Sequence, residues 1–266
     1  MKRILFIIAI LSLSINAQTT APSLKSTSNF AFENGEWLRF RMSYSNFLNA
    51  GYATISVNGT SYNGKKAFHI NGKGKSTGLV NVFFKVRDNY QSYIYKETLQ
   101  PYRFIRDIHE GGYTKNREIN FDHTNKLATV TDKKKNTIKK YPISNNIQDM
   151  LSALYFLRNK ELTNLQKGQE VELNMFFDNK VNDFKLRFLG KETIRTKFGK
   201  VRALKFRPYV KAGRVFKAQE SVTVWVSDDE NKIPLRVKAS LAVGSLRADL
   251  DAYKGLAHPF NIIFNN

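Results

Sequence analysis

Few residues in this chain have types and spacing suited to chemistry. Gly72-Lys73-Gly74-Lys75-Ser76 resembles the end of a phosphate-binding loop. Such a loop needs a glycine at position 69, where this chain has histidine, and a following helix whose N-terminus meets the phosphates. Leu79 to Phe84 reads instead as a strand, so nucleotide binding is not expected. Asp107 and His109 would share one face of a strand, where a metal or an acid/base pair could form. A solvated polar face beside the Gly111-Gly112 turn is the commoner arrangement and the expected one. His69, His109, His123 and His258 show no metal-ligand spacing. Asp228-Asp229-Glu230-Asn231 lacks the spacing of a calcium loop and reads as the turn before a strand at Pro234. With no nucleophile elbow present either, no catalytic residue, cofactor or metal is expected.

Binding features are more numerous. Lys133, Lys134, Lys135, Lys139 and Lys140 form the densest basic stretch, read as a solvated hairpin tip or an anchor for anionic headgroups. Phe83 beside Phe84, Phe176 beside Phe177, and Trp225 among valines put large rings on both faces of strands, with Tyr93 adding another. One packed interior covers one face, so the second needs a pocket, a further cover or a partner. These rings are the candidate contacts to an apolar or amphipathic ligand.

The elements that must position them are mainly strands. Leu38-Phe40-Met42, Ala53-Ile55-Val57, Val171-Leu173-Met175, Val222-Val224-Val226 and Leu246-Ala248-Leu250 all alternate with polar residues. About a dozen such segments predict an antiparallel barrel, half-barrel or sandwich. Val82 to Tyr90 reads as one long strand. Ile147, Met150, Leu151, Leu154 and Leu157 fall at helical spacing, so one central helix is expected near 147–158, capped by Asn145 or Asn146. Gly35–Met42 lines up faintly with Gly168–Met175. A single β-rich domain is expected over 35–254, with a C-terminal tail over 255–266.

At the N-terminus, Lys2-Arg3, the apolar run Ile4 to Ile15, and Asn16-Ala17 have the layout of a cleaved signal peptide, residues 1–17. Residues 18–34 read as a flexible leader. The absence of cysteine excludes disulfides, thiolate metal sites and the lipid-modified cysteine of a lipoprotein. No further segment is apolar enough for a membrane-spanning helix. The formal charge is +21, or +19 once Lys2 and Arg3 are set aside, which favours anionic partners. In an exported protein those are lipid headgroups or acidic envelope polymers, and nucleic acid is not expected.

Six passages resemble the exported bacterial family called domain of unknown function 3108. They are Gly35-Glu36-x-Leu38-x-Phe40, Ala50-Gly51-x-Ala53, Val86-Arg87-Asp88-x-Tyr90, Asp149 to Arg158, Val224-Trp225-Val226-Ser227 and Ile233-Pro234-Leu235. The resemblance implies a β-rich envelope protein and supplies no catalytic residues. The leading expectation is therefore a non-enzymatic periplasmic or envelope protein that binds a lipid-like molecule. The alternatives are a scaffold binding another envelope protein, a hydrolase using Asp107 and His109, and an outer-membrane barrel, against which the central helix and lysine-rich turns speak.

Overall fold

The computed structural model describes residues 30–45, 47–162, 164–210, 222–240 and 244–264. The expected signal segment and the leader as far as residue 29 lie outside them. The alternating segments form strands because each can bury one face. A first meander comprises β1 (Trp37–Tyr44), β2 (Leu48–Tyr62), β3 (Lys65–Ser76), β4 (Val86–Tyr95), β5 (Pro101–Glu110) and β6 (Tyr113–Asp122). It continues into β7 (Leu127–Asp132) and β8 (Thr137–Pro142). A second comprises β9 (Glu170–Phe177), β10 (Lys180–Thr196), β11 (Gly199–Val210), β12 (Val222–Ser227), β13 (Pro234–Ser240) and β14 (Ser245–Lys254). Among the described residues they form one antiparallel sheet, joined where β14 pairs with β1 and ending at β8 and β9.

The sheet curls so that its β9 edge reaches the inner face of its other end. Phe176 packs there with Phe104, Ile119, Phe121 and Val130. The helix α2 (Met150–Arg158) fills the interior. Ala153, Tyr155 and Phe156 pack among Val57, Phe68, Ile70 and Ile94 on one side and Leu173 on the other. The expected half-barrel with a central helix is what forms. Asp149, rather than Asn145 or Asn146, caps the helix. Its Oδ1 accepts from the amides of Leu151 and Ser152, and Ser152 Oγ accepts from the Asp149 amide, all at 2.8 Å.

Two strand edges would be free to pair with other chains. On β9, Gln148 makes a parallel bridge to Met175, with amide bonds of 2.9 Å to Asn174 O and 2.8 Å from Phe176. On β8, Lys139, Lys140 and Pro142 make the exposed edge charged and donor-poor. Those lysines are thus strand residues, while Lys133, Lys134 and Lys135 lie in the preceding turn.

Within the expected leader of 18–34, the described residues 30–34 pack into the domain. Phe30, Ala31 and Phe32 are buried, and Phe32 packs edge-on to Tyr155 at 4.6 Å. The Phe30 carbonyl bonds His258 Nε2 at 2.9 Å. Arg158 clasps the buried Glu36 at 2.7 and 2.6 Å and also donates to the carbonyls of Ala31 and Asn231. Tyr155 donates to the same Glu36 carboxylate at 2.9 Å. Asn231 holds the carbonyls of His258 and Pro259, so residues 255–264 pack as part of the domain rather than trailing as a tail.

The faint sequence repeat corresponds to a structural one. Gly35 and Gly168 both take φ near +95°, a conformation open to glycine, at the turns opening β1 and β9. Gly35 N donates to Val57 O and Val57 N to Glu36 O, while Gly168 N donates to Phe188 O and Phe188 N to Gln169 O. Further along, Leu99 and Lys232 have positive φ two residues before the strand-opening Pro101 and Pro234. Each proline faces a bulge, at Tyr93/Ile94 and at Trp225/Val226. The amides of Tyr95 and Ser227 bond the residue before each proline at 3.0 and 2.9 Å. β1–β6 and β9–β14 are thus two copies of one six-stranded plan.

Candidate functional site

The six candidate rings do not converge. Phe176 belongs to the core, and Phe177 lies half-buried under the Arg106 guanidinium at 4.7 Å. Trp225 is buried, its indole NH bonded to Glu192, with Lys205 and Arg236 over its ring. Tyr93 stands on the outer wall, stacked on His69 at 4.3 Å. Phe83 and Phe84 are exposed, and they are not on a strand. Lys75 pairs with Arg87 across β3 and β4, so the chain must reverse between Ser76 and Val86. It does so through the short helix α1 (Gly78–Phe83), which buries no residue. A helix therefore does follow Gly74-Lys75-Ser76, contrary to expectation. The loop glycine is still missing, and His69 is a wall residue.

Phe83 and Phe84 lie at the same upper end of the sheet as the turn lysines. The β1–β2, β3–β4, β5–β6 and β7–β8 connections lie there beside the start of β14, each against the next hairpin. Ser45 N bonds Ser245 O, and Thr77 N bonds Ala50 O. The Phe84 ring lies against Gly111, and Lys134 Nζ bonds Thr114 Oγ1 at 2.6 Å. Along this rim Phe47 (82% exposed), Leu79, Val82, Phe83 (84%), Tyr113 and Leu246 face outward. Lys85, Lys134 and Lys135 are exposed beside them.

Below the rim, the outer wall carries a cross-strand row of Arg41, Tyr52, Lys75, Arg87 and His109. Tyr52, Lys73, Lys75, Arg87, Asp107 and His109 line a cleft of about 490 Å³. His109 Nε2 lies 3.4 Å from Asp107 Oδ1, with both side chains about half exposed. No side-chain hydroxyl bonds His109 among the described residues. Burial and then the adjacent negative charge of Glu110 push the Asp88 carboxyl up to about 6.

A second cleft, about 600 Å³, opens at the lower end. Tyr62 stacks on Tyr102 at 4.3 Å, and Tyr95 lies 4.9 Å from Tyr102. Tyr102 is the extra residue of the β5 bulge, which turns it toward these rings. Burial, then the neighbouring phenols of Tyr93, Tyr95 and Tyr62, push its hydroxyl up to about 12. This cluster was not assembled by sequence reasoning. The Leu99-Gln100-Pro101 turn was its one local signal.

The family model described as a protein of unknown function, DUF3108, matches residues 39–251, which span both meanders and α2. The chain belongs to DUF3108. No curated protein matches it. Among solved structures, a β-barrel-like protein of domain of unknown function DUF1849 from Brucella abortus is similar at a TM-score of 0.54 and 8% identity. That likeness covers 85% of this chain and 100% of the other, and it shows a shared fold. A lipoprotein candidate from Parabacteroides distasonis covers 85% of this chain and 99% of its own at 13% identity and a TM-score of 0.38. An exported-protein candidate with a YmcC-like fold from Bacteroides fragilis covers 85% and 98% at 9% identity and a TM-score of 0.34.

Among the described residues of this DUF3108 chain, no three His, Asp or Glu side chains converge on a metal-sized site, and no helix is long and apolar enough to cross a membrane. The sheet's polarity runs opposite to that of a transmembrane barrel, which is apolar outside and polar within. Here Val57, Ile70 and Ile94 face inward to α2, while the outer wall carries Lys73, Lys75, Arg87 and Asp107.

Proposed function

We propose that this DUF3108 chain is an exported, non-catalytic protein of the bacterial cell envelope that engages acidic, lipid-like amphiphiles through its upper rim. The export reading rests on Lys2-Arg3, the apolar run Ile4 to Ile15 and Ala17. The observation that carries the lipid reading is the set of exposed apolar side chains Phe47, Leu79, Val82 and Phe83 on neighbouring connections of one end of the sheet, which also bears the exposed Lys85, Lys134 and Lys135. A large apolar side chain left in water forgoes about 1.5–3 kcal/mol that burial would return. Each lysine near an anionic headgroup layer adds about 1 kcal/mol. The interior between the two meanders is filled by α2, so this reading places the ligand at the rim rather than inside the curl.

Sedimentation with phosphatidylglycerol vesicles tests the proposal. The protein is expected to pellet with them and to stay in solution with phosphatidylcholine vesicles. Replacing Leu79 and Phe83 by Ser, or Lys133, Lys134 and Lys135 by Gln, should each release it. Failure to bind, or binding untouched by both sets of changes, would overturn the reading.

A further inference from the structure

The two meanders can be superposed position by position through their shared turns. Ile94 and Val226 both face the strand-opening proline, so their partners Phe68 and Leu204 correspond. From there the ladders place Tyr62 opposite Ile194, Lys65 opposite Val201, Tyr102 opposite Leu235, Gln100 opposite Ile233 and Phe121 opposite Leu250. The equivalence extends to side-chain contacts. Arg103 covers Tyr93 as Arg236 covers Trp225, at 5.7 and 5.9 Å. The amides of Lys96 and Asp228 bond the equivalent carbonyls of Lys66 and Arg202, at 3.0 and 2.9 Å.

In the second meander this position is filled by the chain's own C-terminal segment. Leu256 and Phe260 pack on the cluster containing Ile194, Val201, Ile233, Leu235 and Leu250. The Phe260 ring meets Tyr253 at 5.0 Å and Phe198 at 6.0 Å, and Ile263 N bonds Lys200 O at 2.8 Å. In the first meander the same position is the open tyrosine cleft. Its hairpin is shorter, with two residues between Tyr62 and Lys65 against six between Ile194 and Val201. Its lining has changed from aliphatic to amphipathic, with Tyr62, Gln100 and Tyr102 where the filled copy has Ile194, Ile233 and Leu235. Tyrosine tolerates water when uncovered and offers a broad rigid face when covered. The phenol hydroxyls of Tyr62, Tyr95 and Tyr102 have no protein partner among the described residues, and Tyr62 is exposed while Tyr102 is largely buried beneath it.

We propose that the tyrosine cleft is a docking groove for an extended peptide of another protein, anchored by a proline or aromatic ring. The occupant is inferred from the filled copy, where the segment bearing Pro259 and Phe260 takes the equivalent place. Aromatic-lined grooves take extended, ring-bearing peptides in this way. The proposal is independent of the rim, which lies at the opposite end.

The test uses the full-length protein and two probes. The first is a fluorescent peptide with the sequence Gly255–Phe264, read by anisotropy. The second is a displayed library of short random peptides, panned on the wild type and on the double variant Tyr62→Ala/Tyr102→Ala. The wild type should bind the first probe saturably or enrich proline- or aromatic-bearing sequences from the second. The double variant should weaken that binding about tenfold or more, a change of about 1.4 kcal/mol. Tyr62→Phe/Tyr102→Phe keeps the faces and should retain most of it, while Leu246→Ala at the rim should change nothing. Thermal unfolding near that of the wild type keeps the double variant interpretable. Failure of both probes to bind, equal binding by the alanine variant, or tyrosine-dependent binding of a soluble oligosaccharide in place of peptide would each overturn the proposal.

Discussion

The two meanders share the glycine turn before the first strand, the proline-facing bulge and one cation–π pair, yet they treat their lower ends in opposite ways. The second closes over Leu235 and Ile194 with a longer hairpin and the 255–264 segment. The first leaves Tyr102 and Tyr62 at the wall of an open cleft. Glu36 and Gln169 occupy equivalent turns and also diverge. Glu36 is buried in the clasp of Arg158, while the Gln169 side chain accepts from the nearby Gln166 amide at 2.8 Å. One backbone plan thus carries a permanently covered copy and an accessible one, and side-chain chemistry decides which is which.

The sharpest way to break this comparison is at its most unequal pair. Arg158→Leu strands the Glu36 carboxylate in the interior and should cost about 3–5 kcal/mol, whereas Gln169→Ala should cost less than about 1 kcal/mol. Urea unfolding would read both, and similar losses would refute the asymmetry. The next effect sits at the lower ends. Phe260→Ala removes a ring packed against Tyr253 and Phe198 and should cost about 2–3 kcal/mol. Tyr62→Ala in the open copy should cost less than about 1 kcal/mol.

A pH effect comes from α2, which links the two copies. Burial pushes the Asp149 carboxyl up to about 6, against hydrogen bonds from Ser92, Ser152 and Leu151. The folded state therefore binds this proton more tightly than the unfolded chain does. Asp149 should add stability as pH falls from about 6 toward about 4, and that gain should be lost as pH rises through about 6, an effect on the order of 2 kcal/mol. Melting at about pH 7 and about pH 5 should show the gain in the wild type and a smaller one in Asp149→Asn. The smallest effect tests the likeness itself. Pro101→Ala and Pro234→Ala open equivalent strands after equivalent turns and should each cost about 0.5–1 kcal/mol, equal within error.

Much of the fold was legible in the chain. Alternation located most strands, and the Ile147 to Leu157 spacing located α2, because one buried face leaves a clean period. Features fixed by tertiary pairing were not legible. Leu79 to Phe84 is apolar enough for a strand, and only the Lys75–Arg87 register forces the reversal that makes it α1. Phe30 and Phe32 are two rings in a Ser- and Thr-rich run, and their burial depends on Tyr155 and His258 far along the chain. At the rim, the types of Phe83, Phe84 and Lys133–Lys135 were visible, while their nearness required the strand order. Trp225 read as an uncovered ring because nothing local shows that Glu192, Lys205 and Arg236 cover it. Tyr102 needed the bulge.

The clasp at the lower end also has a meaning in time. It bonds Phe30 to His258 across 228 positions and Glu36 to Arg158 across 122. Contacts so distant form slowly, because the loop between them must close before they are rewarded. Until His258 is in place, nothing covers the Phe30 carbonyl. The interior stays unlatched until the 255–264 segment docks, and a handful of late bonds then locks it.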